Sequence, residues 1–204
     1  MPGFLSGPLS GFVDRMKGKG LASSSFLQQI GKSAAQAAGS GNIAAIVSAG
    51  INPGSINNDN VLAAWLIPAN IFDIVGRGLQ VTAMGAVANN TNSKRIKIFA
   101  GCTTAVVGSP VTGGVLIADS GAYNTAGAAG FQIVAQIFKY GAGGSNTQIA
   151  LHQAATIGAA VGSLIPPNPL TLNESAPWLL AVTGNAVTAV ADIALNFGEV
   201  FATN

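Results

Sequence analysis

Few residues in this 204-residue chain could carry chemistry, and their spacing argues against it. There is one histidine, His152, and one cysteine, Cys102. His152 sits between Leu151 and Gln153 in an alternating stretch. It reads as a polar-facing structural or surface residue rather than a base or ligand. Nothing beside Cys102 would lower its pKa, so it reads as a small buried apolar residue. A lone cysteine also excludes an internal disulfide and a cysteine-based zinc site. The acids Asp14, Asp59, Asp73, Asp119, Glu174, Asp192 and Glu199 are scattered singly. A glycosidase-like carboxylate pair would therefore have to form across strands. The glycine-rich pieces 121–130 and 141–144 lack the Gly-Lys-Ser/Thr ending of a phosphate loop. Strand patterns rather than a helix follow them, so they read as turns. Lys94-Arg95-Ile96-Lys97 places two cations on one strand face with no aromatic ladder, which reads as a solvated face rather than a nucleic-acid site. The expectation is no catalysis, no cofactor, no metal and no nucleic-acid partner.

What stands out instead is the scarcity of charge. Lys, Arg, Asp and Glu make up 8% of the chain, against roughly 25% in an ordinary soluble domain. Hydrophobic residues make up 49%, and the mean hydropathy is +0.48. The uncharged stretch 140–173 is broken by Gly, Asn, Gln, His and three prolines, so no membrane span is expected. The start, Met1 to Leu5, shows no cationic segment followed by an apolar block, and no secretion signal is expected. A surface this poor in charge is protected from non-specific sticking only if much of it is covered in an assembly.

The elements that must build such a surface change character near residue 58. Residues 1–58 read as an extended or short-helical N-terminal arm, rich in Gly, Ser and Ala. Phe26, Leu27, Ile30, Ala34 and Ala37 follow helical spacing, with Ser24 or Ser25 as N-cap and Gly39 as stop, which predicts one short helix. The apolar run 43–51 predicts a second helix or a strand. Arg15, Lys17, Lys19 and Lys32 against Asp14 make the arm basic. Phe4, Phe12 and Phe26 are spaced as anchors.

From residue 59 to 204 the period becomes two. Strands are expected at 61–67, 79–87, 94–101, 111–118, 131–138, 147–156, 178–183 and 189–201. Asn89–Ser93 reads as a hairpin loop. In the last strand Ala191, Ile193, Leu195 and Phe197 are expected on one face. About eight short antiparallel strands predict an all-β chain, an antiparallel β-sandwich of jelly-roll type. Trp65, Trp178, Phe99, Phe131 and Phe197 read as core or interface. Several strands, with Val134, Phe138 and Ala150 as examples, are small or apolar on both faces. A two-layer sandwich buries one face per sheet. The second apolar face needs a partner, and a symmetric homo-oligomer is the simplest source.

Residues 60–202 resemble a known group. The order is Ile67-Pro68-Ala69-Asn70, Gly76-Arg77-Gly78, the Asn89-Asn90 loop, Lys94-Arg95-Ile96-Lys97 and Gly101, closing on Val182-Thr183-Gly184-Asn185 and Ala191-Asp192-Ile193. This pattern resembles β-sandwich domains of tailed-bacteriophage virion surface proteins: capsid decoration (cement) proteins, head fibres and tail-fibre tips. The resemblance implies a trimeric sandwich on the capsid surface of a virion, made in the host cytoplasm, with no enzymatic residue to carry over. The expected function is a capsid decoration protein. Its partners are other copies of itself and the major capsid protein, with Phe4, Phe12, Arg15, Lys17, Lys19 and Phe26 of the arm as capsid anchors. The alternative is a tail-fibre or receptor-binding protein that recognises carbohydrate, for which Tyr123 and Trp178 are the candidate stacking groups.

Overall fold

Alternation of apolar and polar side chains produces eight long strands and three short ones. The computed structural model describes residues 28–31, 58–162, 164–186 and 192–203. In chain order the strands are β1 (Gln28–Gly31), β2 (Asn60–Ile67), β3 (Gly78–Val87), β4 (Lys94–Thr104), β5 (Thr112–Asp119), β6 (Ala129–Lys139), β7 (Gln148–Ile157), β8 (Ala160–Val161), β9 (Asn168–Leu170), β10 (Trp178–Ala186) and β11 (Ile193–Thr203). Sheet A has the order β1-β2-β10-β4-β5. Sheet B has the order β11-β3-β6-β7-β8, with β9 also on β7. Every strand pairing is antiparallel. The expected antiparallel β-sandwich is therefore present, and no helix occurs among the described residues.

The inner faces meet in one apolar core. Trp65, Phe72, Leu62, Ile67, Leu79, Ile96, Ile98 and Ile133 are its largest fully buried apolar members. Each such side chain stabilises by about 1.5–3 kcal/mol when removed from water. Trp178 stacks on Phe72 with ring centroids 6.4 Å apart, closing one end. Ala150 lies in this core, whereas Val134 and Phe138 alternate with core residues of β6 and face outward.

Three expectations are corrected. The helical spacing from Phe26 to Ala37 does not give a helix at 28–31, where β1 pairs antiparallel with Ala64–Leu66. The edge of β2 offers unpaired N–H and C=O groups, and pairing with them overrides a weak local helical preference in a Gly- and Ser-rich stretch. The run 43–51 lies outside the described residues. Asn89–Ser93 is not a hairpin loop: β3 belongs to sheet B and β4 to sheet A, so these residues form an arch between layers. In β11 the face assignment changes halfway. A bulge between Leu195 and Phe197 leaves Ile193 and Leu195 inward but turns Phe197 outward, and Gly198 and Val200 take over the inner face.

Sheet A carries a cover of its own. Gly101, Gly113 and Gly114 all have positive φ, a conformation open to glycine, and they bend the β4–β5 hairpin out of the sheet. Its tip crosses β10 and docks on β2. Val61 N–H donates to Ser109 O at 2.9 Å, and Gly108 N–H donates to Val61 O at 2.9 Å. Beneath this flap Val61, Ala64, Cys102, Ala105 and Ala181 form a second buried cluster, flanked by Phe99, Val107, Val111 and Leu179.

Gly85 marks the tightest approach between β3 and β11. A Cβ there would collide with the carbonyl oxygen of Ala194 and lie 2.5 Å from the Phe131 ring. Gly85→Ala is expected to lower unfolding free energy by about 2–3 kcal/mol in urea titrations. Gly130→Ala, whose nearest neighbour would be 3.6 Å away, is expected to stay within about 0.5 kcal/mol of the parent.

Candidate functional site

Charge is the scarce resource, so where it goes defines the surfaces that remain. The described residues contain five cations, Arg77, Lys94, Arg95, Lys97 and Lys139, and six carboxylates. Arg77 pairs with Asp73 on the β2–β3 loop. Arg95 Nε donates to Asp119 Oδ1 at 2.7 Å, and its Nη2 pairs with Oδ2. Lys97 Nζ lies 2.8 Å from Asp59 Oδ2. Lys139 Nζ lies 2.5 Å from Glu174 Oε1. Lys94, on the face of β4 opposite Arg95 and Lys97, is fully buried. Its ammonium donates to Asn90 O at 2.8 Å and Asn92 O at 3.0 Å, holding the inter-sheet arch. The same arch engages Asp192, whose Oδ1 and Oδ2 accept from Asn90 Nδ2 at 2.7 Å and Asn92 Nδ2 at 2.9 Å. The Lys94–Lys97 run is thus consumed by internal contacts and presents no basic patch to a polyanion.

The Lys139–Glu174 pair is the hub of one end of the sandwich. Glu174 Oε1 also accepts from Gln148 Nε2, and Oε2 accepts from Gly144 N–H at 2.8 Å. Its backbone carbonyl accepts from Asn70 N–H at 2.7 Å. Gln148 in turn clasps the backbone of Leu172 through both amide atoms. The 141–144 glycine piece lies in the β6–β7 turn, and its Gly144 N–H serves this carboxylate rather than a phosphate. Burial alone would push the Glu174 carboxyl up. The Lys139 ammonium, the Gln148 amide and the Gly144 N–H outweigh it and hold the group below the usual carboxylate range. For Asp119, burial is likewise outweighed, by Arg95, Gly121 N–H and Lys97.

His152 is buried, not polar-facing: it continues the alternation of Gln148 and Ala150 on the inner face, while apolar Ile149 and Leu151 take the other face. Its Nδ1 accepts from Ile165 N–H at 3.0 Å, so the proton of the neutral ring sits on Nε2, which has no acceptor among the described residues. Burial holds its pKa below 6.5, against smaller opposing effects of Ala154 and Asp119. Cys102 is buried under the flap, and desolvation pushes its thiol up to about 11. No group of three or more His, Cys, Asp or Glu able to hold a metal occurs among the described residues. Trp178 is buried and Tyr123 is packed against the core, so neither sugar-stacking candidate is an exposed platform. The arm anchors Phe4, Phe12, Arg15, Lys17, Lys19 and Phe26 lie outside the described residues.

One large face is left. The outer face of sheet B carries no covering layer among the described residues. Register places its side chains in rows across β11, β3, β6 and β7. One row is Phe201, Gln80, Gln136 and Leu151; the next is Glu199, Thr82, Val134 and Ala154. Phe197, Met84 and Gln132 lie on one side of these, and Phe138 and Ile149 on the other. The Phe138 ring lies across Gly78, where a Cβ would come within 2.7 Å of it. Gln136 Nε2 donates to Gln80 Oε1 at 2.7 Å. Exposed Tyr140, just past the end of β6, extends the surface to the rim, near exposed Ile74 and Val75. Glu199 is the face's one ionisable side chain, and burial raises its carboxyl above the ordinary value. Alternation alone identified Val134 and Phe138 as candidates for this surface; β11's contribution of Phe197, Glu199 and Phe201 required the bulge.

No family model matches the chain, and no curated protein matches its sequence. Among solved structures, one similar chain is the CBM2 module of the evolved Dit of Lactobacillus casei BL23 phage J-1. Its TM-score is 0.35 at 11% identity, covering 86% of this chain and 82% of that one. Another is a legume lectin-like domain from Entamoeba histolytica, with a TM-score of 0.26 at 8% identity, covering 73% and 83%. Both likenesses are distant in sequence and shape, and neither assigns a ligand to this chain.

Three outcomes test the buried groups. Glu174→Ala leaves the Lys139 ammonium buried without its carboxylate and is expected to cost about 3–5 kcal/mol of stability. In the parent, the depressed Glu174 and Asp119 carboxyls contribute stability that is complete above the usual carboxylate range and is lost as pH falls through their lowered values. Neutral His152 adds a loss that begins as pH drops below about 6.5. Urea midpoints across a pH series should show both. The Cys102 thiol is expected to resist a thiol-specific reagent in the folded protein near neutral pH and to react at once in denaturant.

Proposed function

We propose that this chain is a non-catalytic structural protein of a tailed-bacteriophage virion. In this reading it is a capsid decoration or cement protein, whose sandwich associates with further copies, three in the simplest arrangement. The observation that carries the reading is the outer face of sheet B, broad, nearly free of charge and uncovered among the described residues, on a body that has paired its cations internally. A surface of that kind is suited to permanent contact with protein and unsuited to a polyanion. The resemblance of residues 60–202 to phage surface domains supplies the virion setting. The basic arm then reaches the shell, with Phe4, Phe12 and Phe26 as apolar anchors and Arg15, Lys17 and Lys19 drawn to acidic patches of the major capsid protein.

A second reading, carbohydrate recognition by a tail-fibre or receptor-binding protein, is favoured by one feature. The Gln80–Gln136 amide pair and Gln132 share a face with Phe138 and Phe201, which pairs hydrogen-bonding groups with flat apolar rings. A glycan array decides between them, because a decoration protein gives no selective glycan signal.

The arm is tested separately from the body. Removing residues 1–27 keeps β1 and the whole sandwich. This truncation is expected to retain the parent's oligomeric state in light-scattering measurements while its co-sedimentation with emptied phage shells falls by about tenfold or more. Full retention on shells would exclude the arm as the anchor.

A further inference from the structure

Five of the six described carboxylates have a partner: Asp59, Asp73, Asp119 and Glu174 in ion pairs, and Asp192 in the Asn90–Asn92 arch. Glu199 has none among the described residues. It projects from β11 between Phe197 and Phe201, opposite Thr82 of β3, with Val134 of β6 beyond. No titratable or cationic side chain faces it from β3 or β6, and β11 has no strand on its other side among the described residues.

A partner that covers this face must tolerate that carboxylate. A foreign partner could do so with a fixed cation. The same face of another copy cannot, because it contains no Lys, Arg or His. It offers apolar side chains, amides and a second Glu199. The remainder of the face is self-compatible: uncharged, with apolar side chains and amides. With strands about 3.3 Å per residue and 4.8 Å apart, four strands of about nine residues span roughly 600 Å². Two such faces approach the lower limit of a specific interface, about 1,200 Å² in total.

Building on the self-association proposed above, we infer that copies of this chain meet through the outer faces of sheet B, turned toward a common axis, and that the contact closes when Glu199 takes up a proton. Ionised, the clustered carboxylates repel one another and resist desolvation; protonated, each becomes a neutral donor beside Thr82 and the glutamines. Burial already raises the Glu199 carboxyl in the single chain, and covering it with a like group acts in the same direction.

Sedimentation equilibrium of the full chain at about pH 8 and about pH 5, with circular dichroism at each pH to confirm the fold, tests this. The association constant is expected to rise by about tenfold or more toward pH 5, one pK unit of coupling being tenfold. Glu199→Gln is expected to associate tightly at both values. Leu151→Lys, on the same face and away from Glu199, is expected to be monomeric at both. Association that is independent of pH, unchanged in Glu199→Gln and intact in Leu151→Lys would overturn the inference while leaving self-association standing. No association of the parent at either pH would instead remove the reading on which it rests. A Glu199→Gln protein that is folded but monomeric would also overturn it.

Discussion

A two-layer sandwich buries two sheet faces and leaves two, and the handling of those two organises this molecule. Charge cannot cover them, because the chain holds so little. Sheet A is closed by its own hairpin. Three glycines at positive φ bend β4 and β5 back across β10 onto β2, and Cys102, Ala181 and Val61 become interior. Sheet B has strands of similar length and a similarly apolar outer surface, but no hairpin folds over it among the described residues. The asymmetry follows from where the glycines sit: Gly101 with the pair Gly113 and Gly114 allows the reversal, while the β6–β7 turn is pulled inward by Glu174.

The few charges act as fasteners inside the fold. Lys94 and Asp192 hold the arch between sheets, and Lys139 and Glu174 tie the β6–β7 turn to the 171–177 loop. A buried ion pair of this sort adds little net stability over an apolar substitute, but removing one partner is costly. Such groups therefore specify geometry more than they supply energy. They keep the rim bearing Ile74, Val75 and Tyr140 in a defined position next to the open face.

Much of the architecture was legible in the residue pattern, because alternation reports burial directly. Phe131–Phe138 reads as a strand for the reason that it is one: every second side chain enters the core. Val61–Ile67 reads as one from its short apolar run ended by Pro68, and it is buried on both faces, between the core and the cluster under the flap. Alternation does not report which sheet a strand joins. Asn89–Ser93 has the composition of a turn whether it links neighbours or crosses between layers, and only the partners of β3 and β4 distinguish the two. At 28–31 the helical spacing was likewise a local signal overridden by a free strand edge. The Lys139–Glu174 hub spans 35 residues and its members look like isolated charges in the chain. His152 was misplaced because β7 turns its polar Gln148 and His152 inward and its apolar Ile149 and Leu151 to the other face, the reverse of what polarity suggests. The Gly113-Gly114 pair inside an otherwise apolar strand was the one available hint of the flap.

That flap also sets a limit on growth. A slab that is adhesive on both broad sides stacks without end, each unit offering its neighbour a fresh landing place, and the product is a fibre or a precipitate. With the flap folded over much of sheet A, a copy that docked through sheet B under the proposed self-association would use up the adhesive side it brought. Such an assembly would close on itself instead of growing.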